Sequence, residues 1–141
     1  MLGEPSGAQA LGVSWYEIAP GRTAYPFHFH CANEEGVYVL EGEGRLRIGD
    51  AVVAVGAGDY LAFPVGPAAA HQLKNTGAGP LRYLALSTRL PTDVVGYPDS
   101  RKVQATAMRP GASWQDPKWA RVMAEESTLL DYFEGEDIDG D

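Results

Sequence analysis

The chain of 141 residues carries 11 basic and 19 acidic side chains, a net charge of −8, and one cysteine. An acidic chain repels phosphate backbones, which argues against a nucleic-acid partner, and it contains no apolar run near the ~20 residues that a membrane-spanning helix needs. The length predicts one domain, and the single cysteine and the lack of a basic, apolar signal peptide at the N-terminus predict a cytoplasmic protein without an internal disulfide.

From residue 11 to residue 87 the chain reads as short strands separated by turns rich in glycine and proline. β-Branched and aromatic residues in alternation predict strands at residues 11–18, 37–41, 45–48, 51–55, 60–63, 70–74 and 81–87. The strands at 45–48 and 51–55 follow one another directly across Gly49-Asp50, as the two arms of a hairpin do. Regular short strands of this kind predict an all-β sandwich or barrel.

Residues 90–117 are interrupted by six glycines and prolines, with a single further edge strand expected at residues 102–106. Residues 118–126 predict a short helix in which Asp116 is the N-cap and Pro117 lies in the first turn. The apolar side chains of that helix, on one face, are Trp119, Val122 and Met123.

The last eight residues form an acidic tail, which like-charge repulsion should keep solvated. Its carboxylates are Glu134, Glu136, Asp137, Asp139 and Asp141. We therefore divide the chain into a β-barrel at residues 1–111 and a C-terminal segment, with the short helix and the tail, at residues 112–141.

Two histidines one residue apart, His28 and His30, are the strongest indication of chemistry. They lie in the run Phe27-His28-Phe29-His30, which favours a strand, and side chains at i and i+2 of a strand share a face. Glu35 follows shortly and His71 much later. Three imidazoles and one carboxylate are a suitable ligand set for a divalent transition metal. The alternative is a pair of polar residues on a solvated strand face.

Glycine-bounded motifs surround these residues. The first runs from Gly21 through His28-Phe29-His30 and Glu35 to Gly42. The second runs from Gly58 to Asn75 and contains Pro64-Val65-Gly66 and His71. The two motifs, at about residues 21–42 and 58–75, resemble the paired motifs of the cupin superfamily, and in particular its small single-domain bacterial members.

The resemblance implies a cupin double-stranded β-helix, or jelly-roll, barrel with one divalent metal ion: Mn, Fe, Ni, Co or Zn. It implies that the ligands are His28, His30, Glu35 and His71. Glu35 is chosen over Glu34 because four residues separate it from His30 and six from Gly42. In a strand that begins at Glu35, alternation then places Val37 and Val39 inside and Tyr38 and Leu40 outside.

The resemblance also implies an enzyme that acts on a small oxygen-rich organic acid or sugar-like substrate, as a dioxygenase, decarboxylase or isomerase. The alternative is a cupin that binds or senses a small molecule without turnover. The catalytic acid or base stays unassigned, because fold does not give function. A homodimer is expected, since Tyr38, Leu40 and the apolar residues of the C-terminal segment, Trp114 included, leave more apolar surface than a small monomer normally shows.

Several other polar residues have two open interpretations, as pocket residues or as packing and surface residues. They are Arg45, Arg47, Tyr60, Gln72 and Arg82. Cys31 is expected to be a buried, inert thiol that faces away from the histidines. Asn75 is expected to form hydrogen bonds at a strand end.

Overall fold

The computed structural model describes residues 1–110, 112, 116 and 119–128. Within them the chain forms eleven β-strands and four single turns of 3-10 helix, at Glu4–Ser6, Pro67–Ala69, Pro98–Ser100 and Glu126–Thr128. The strands are β1 (Leu11–Ile18), β2 (Phe29–His30), β3 (Glu35–Glu41), β4 (Glu43–Ile48), β5 (Ala51–Gly56), β6 (Tyr60–Phe63), β7 (His71–Asn75), β8 (Leu81–Thr88), β9 (Thr92–Tyr97), β10 (Lys102–Ala107) and β11 (Ala120–Glu125). In this part of the chain no helix is long and apolar enough to cross a membrane.

The strands form three antiparallel sheets, with the orders β1-β8-β3-β6, β11-β10-β9-β2 and β5-β4-β7. The predicted all-β architecture is confirmed. The predicted hairpin is β4 and β5, which pair from Ile48 and Ala51 outward across a turn where Gly49 adopts a positive φ of 51°. Glycine reaches that conformation without the steric cost that a Cβ imposes.

Strand alternation builds the core. Val37 and Val39 of β3 are buried, whereas Tyr38 and Leu40 between and beyond them are 41% and 42% exposed, as the sequence predicts. The buried side chains of β3 meet buried side chains from the other strands of its own sheet and from the sheet β5-β4-β7. The core residues are Ile18, Val37, Val39, Leu46, Val55, Phe63, Leu73, Leu81 and Tyr83.

The predicted C-terminal helix is wrong. Ala120–Glu125 is strand β11, paired in antiparallel register with all of β10, and the only helical structure described near it is the turn at Glu126–Thr128. The open edge of β10 offers six residues of backbone hydrogen bonding, which outweighs the helix propensity of a segment too short to form a stable helix alone. Pro117, Trp114 and the acidic tail lie outside the described residues.

Strand β9 lies within residues 90–117, the segment that glycines and prolines interrupt. Pro91 and Pro98 lie just outside the strand, where proline costs no ladder hydrogen bond, and Gly96 lies opposite Phe29 of β2. A Cβ at Gly96 would overlap the Phe29 ring, so this glycine permits close packing. The predicted edge strand at residues 102–106 is β10, but it is an interior strand, between β9 and β11.

Asn75 ends β7 as a hydrogen-bonding residue, as expected. Its buried amide donates to the carbonyl oxygens of Ile18 and Gly79, at 2.8 and 2.9 Å, and its Oδ1 accepts from Gly77 N at 2.9 Å. These bonds join β1, β7 and the turn that leads into β8.

Replacement of Asn75 by alanine should lower the free energy of unfolding by about 1–3 kcal/mol, because buried backbone groups lose their partners. Urea unfolding followed by circular dichroism measures it. Lys74→Ala, on the exposed side of the same strand, should change stability by less than about 0.5 kcal/mol. Equal losses in the two variants would contradict the role given to the amide.

Candidate metal centre

His28 and His71 are brought together by the backbone. They form an isolated antiparallel bridge in which His28 N donates to His71 O at 3.2 Å and His71 N donates to His28 O at 2.8 Å. Residues directly opposite in such a pair project their side chains to the same side. The two imidazole centroids are 4.7 Å apart.

His30 and Glu35 reach the same place from strands of two different sheets, β2 and β3. His30 pairs with Val95 of β9 and has its ring centroid 5.2 Å from that of His28. Glu35 begins β3, opposite Phe63 of β6 and Ser87 of β8. The i and i+2 spacing of the histidines therefore gives the shared face that the sequence predicts.

The Nε2 atoms of the three histidines surround one carboxylate oxygen. Glu35 Oε2 is 3.8 Å from Nε2 of His28, 3.4 Å from that of His30 and 3.5 Å from that of His71. The ligand atoms of His28, His30 and Glu35 all lie within 4.8 Å of one another, a separation at which they could share a metal ion. Glu34 is exposed. His71 lies outside that group of three, although its Nε2 is 3.5 Å from Glu35 Oε2.

The other ring nitrogen of each histidine faces a hydrogen-bond acceptor. Nδ1 of His28 is 2.9 Å from Pro26 O, Nδ1 of His71 is 3.0 Å from Ala69 O, and Nδ1 of His30 is 2.6 Å from Asp93 Oδ2. Carbonyl and carboxylate oxygens only accept, so each Nδ1 carries the proton and each Nε2 of a neutral ring has its lone pair free toward Glu35.

Asp93 on β9 is the residue that the sequence reasoning missed. Its carboxylate accepts from His30 Nδ1, from Ala32 N at 3.0 Å and from Asn33 Nδ2 at 2.8 Å. Burial would raise the pKa of Asp93, but the bonds from His30 and Asn33 outweigh burial and lower it. It lies 63 residues from His30, in a segment read as irregular, and no motif marks it.

Charge in the cluster is concentrated on Glu35. Burial would raise the pKa of this carboxyl, but hydrogen bonds from His28 and His71 and the positive charge that the imidazoles carry when protonated outweigh burial and lower the pKa to about 2. Burial would likewise lower the pKa of His30, yet the bond to Asp93 and the charges of Glu35 and Asp93 raise it overall. Glu35 is therefore an anion at neutral pH, with three imidazole nitrogens directed at it.

A cavity of about 410 Å³ opens beside the cluster and is lined by His28, Glu35 and His71 themselves. Phe63 forms one wall and stacks on the His71 ring, with centroids 3.6 Å apart. Tyr25 forms another, edge-on to both His28 and His71. Burial raises the pKa of Tyr25 far above its usual value, so its hydroxyl keeps its proton.

None of the five residues with open interpretations lines this cavity. Arg47 forms a bidentate ion pair with Asp99 and lies over the Phe27 ring. Arg82 pairs with Glu17 and Glu41 on the outward face. Gln72 donates to Tyr25 O at 3.2 Å, and the remaining two, Arg45 and Tyr60, are exposed.

The prediction that Cys31 is buried is wrong, because this free thiol is exposed. Strand β2 ends at His30, and the next residue already lies at the surface.

Comparison with known proteins agrees with this geometry. A family model described as a cupin domain matches residues 14–87. A provisionally assigned sugar phosphate isomerase from Acidithiobacillus ferrooxidans is 30% identical, with a TM-score of 0.77, over 92% of this chain and 76% of that one. A sugar phosphate isomerase of the cupin superfamily from Silicibacter pomeroyi is 26% identical, also with a TM-score of 0.77, over 90% of this chain and 74% of that one.

A predicted oxalate decarboxylase from Thermotoga maritima is more distant in shape. It is 26% identical with a TM-score of 0.54, over 64% of this chain and 76% of that one. No curated protein matches the chain significantly.

Replacement of Asp93 by alanine should cost about 2–3 kcal/mol of unfolding free energy, since three donors lose a partly buried charged acceptor. Asp99→Ala removes another aspartate, but one in an exposed pair with Arg47, and should cost at most about 1 kcal/mol. Urea unfolding of both variants provides the comparison. If Asp99→Ala were the more damaging, Asp93 would not be holding His30.

Proposed function

Because this chain belongs to the cupin family, we propose that it is a metal-dependent cupin enzyme that acts on a small oxygen-rich organic molecule. His28, His30, Glu35 and His71 would hold one divalent transition ion. The observation that carries the proposal is the orientation of the three imidazoles, each fixed through Nδ1 so that Nε2 is directed at the Glu35 carboxylate.

The donor set fits an ion. Free Nε2 lone pairs directed at an anionic oxygen are repelled by it unless positive charge lies between them, which a bound ion or a proton on Nε2 supplies. Ligands about 2.0–2.1 Å from a shared ion, at angles near 90–110°, lie roughly 2.8–3.4 Å apart. The observed separations of 3.4–3.8 Å are longer than hydrogen bonds and close to that range. The acceptors behind the rings are those that commonly orient metal-ligating histidines.

Three nitrogens and one carboxylate oxygen suit Mn, Fe, Ni, Co or Zn, and availability often decides among them. Such an ion, when bound, supplies Lewis-acid polarisation of a coordinated oxygen. The protein supplies the fixed ligands and an adjoining cavity that holds the rest of the molecule.

The alternative function is a cupin that uses the same cavity to bind a small molecule without turnover. Appearance of product in an assay panel of organic acids and sugars separates the two.

The purified protein should contain about one first-row transition ion per chain, and His71→Ala should lose it readily, because one of four ligands is gone. Cys31→Ala changes an exposed side chain next to His30 and should keep the ion. Elemental analysis after dialysis against a weak chelator measures both. Protein that stays metal-free after incubation with each of the five ions, or equal loss in both variants, would refute the ligand assignment.

We also propose a homodimer, formed through the outer face of the sheet β1-β8-β3-β6. The strand registers place Trp15, Leu84, Tyr38 and Tyr60 in one row across all four strands. Trp15, Tyr38 and Tyr60 are 47%, 41% and 62% exposed. A row of large apolar side chains of this kind favours burial against a second copy.

The row is bordered by charges of both signs. Arg82 forms ion pairs with Glu17 and Glu41 on the same outward face. A two-fold axis brings a surface against itself, so a face that carries both signs can pair with its copy.

We propose the cytoplasm as the location of the protein. The exposed thiol of Cys31 is compatible with that reducing compartment.

In light scattering at micromolar concentration, the protein should have twice its monomer mass of 15.1 kDa. Tyr38→Lys, which places a charge in the middle of the row, should shift the mass toward one chain. Val52→Lys, on exposed β5 of another sheet, should leave it unchanged. A wild-type mass of one chain would show that this face is not an interface.

A further inference from the structure

A second cavity, of about 120 Å³, borders the histidine cluster on the side of the sheet β11-β10-β9-β2. His28 and His30 line it, together with Tyr97 at the end of β9 and Gln104 of β10. His28 also lines the larger cavity, so the cluster lies between the two. A molecule held at the cluster can therefore extend into either cavity.

The strand registers bring two cations to the face of the sheet that forms this smaller cavity. Lys102 of β10 pairs with Tyr97 of β9. Arg121 of β11 pairs with Thr106 of β10, which lines the cavity. Residues paired across antiparallel strands project to the same face. Lys102 and Arg121 therefore project to the side of the sheet on which the histidine cluster lies.

The Tyr97 phenol lies between the cluster and these cations in a chain of contacts. Its ring stacks on that of His28, with centroids 6.0 Å apart, and Lys102 Nζ is 6.0 Å from the centroid of the same phenol ring. Burial raises the pKa of Tyr97, the positive charge of Arg121 opposes the rise, and the charge of Glu35 adds to it. Tyr97 and Lys102 are half-buried and Arg121 is exposed, so none of the three is closed off from solvent.

Neither cation is neutralised by a described neighbour. Glu125 is opposite Lys102 in register, but no ion pair joins these two described residues. Within the described part of the chain, the arginines and lysines that form ion pairs with carboxylates are Arg47, Arg82 and Arg89. Two cations beside a cavity, in a chain whose net charge is −8, produce a local positive potential that attracts an anionic group.

We propose that Lys102 and Arg121, beside the Tyr97 phenol, form an anion-binding subsite next to the metal centre, and that the molecule on which the protein acts is an acid. One end of that molecule reaches the ion, and a separate carboxylate or phosphate group lies in the smaller cavity. The inference deepens the proposed function and rests on it, since it selects an anionic molecule over a neutral sugar. All three residues lie beyond residues 14–87, the part that the cupin model matches.

The test uses the full chain loaded with Co(II), freed of excess metal, and three probes that share a 2-hydroxy acid end for the ion. Malate adds a carboxylate, 3-phosphoglycerate adds a phosphate, and malate amidated at its far carboxyl adds an uncharged group of similar shape. Titration followed by the visible absorption of cobalt gives the dissociation constants. At least one of the two anionic probes should bind wild type about 5-fold or more tightly than the amide, and salt should reduce this preference. The tighter of the two identifies the anionic group.

Lys102→Gln and Arg121→Gln each remove one charge and should weaken the preferred anionic probe by roughly 2- to 5-fold, the range for an exposed ion pair. The double variant should lose the preference over the amide. Arg45→Gln removes the same charge from an exposed position on β4, in another sheet, and should bind all probes as the wild type does. Cobalt content and melting temperature should be unchanged in these variants, because none of the side chains is a proposed metal ligand or a core residue.

Several results would overturn the inference while leaving the metal proposal intact. They are equal affinity of cobalt-loaded wild type for all three probes, failure to bind any of them, and unchanged affinity for the anionic probe in the double variant. A loss in Arg45→Gln as large as that in Arg121→Gln would also overturn it, since the effect would then come from net charge alone. Failure of wild type to retain cobalt, by contrast, would overturn the proposed function and this inference with it.

Discussion

The two backbone hydrogen bonds between His28 and His71 hold the candidate metal centre together. The segment before β2 touches β7 as a strand would at only two described bridges, Thr23 with Lys74 and His28 with His71. The second bridge aligns two imidazoles on one side of the backbone and sends the chain on toward β9. His30, two residues later, then meets Asp93, and Glu35 enters from β3. The cluster follows from this backbone contact rather than from attraction among the side chains.

The histidine cluster is held by hydrogen-bond acceptors on the side of the Nδ1 atoms, behind the rings, and borders the cavity on its other side, in front of them. Behind the rings, two backbone carbonyls and the Asp93 carboxylate fix the orientation of each imidazole. Carbonyls in the backbone cannot rotate away, so His28 and His71 are held by the fold itself, while His30 depends on one side chain. In front lies the cavity, which is lined by His28, Glu35 and His71 themselves together with phenols, serine hydroxyls and apolar side chains.

The local sequence pattern was sufficient to predict burial and side-chain direction wherever these properties repeat every second residue. The alternation in β3 indicated that Val37 and Val39 would be buried and Tyr38 exposed, and the spacing of His28 and His30 indicated a shared face. Local pattern failed where a distant partner decides the outcome. Residues 120–125 are mostly good helix formers, but pairing with the free edge of β10 makes them a strand. Asp93 resembles any aspartate near a proline until β9 pairs with β2. The burial of Cys31 was predicted wrongly because strand alternation gives the direction of a side chain but not whether other residues cover it.

The topology of the cluster has a consequence for how the protein folds. His28, His30 and Glu35 are near neighbours in sequence, but His71 arrives on β7 and Asp93 on β9, after long intervening loops have closed. Contacts of such large sequence separation form late, because the entropy of loop closure is lost before they return any stabilisation. A site assembled in this way is absent from partly folded chains. An ion that binds it would tie the closing strands to one another, and its release would report the opening of the whole barrel rather than a local fluctuation.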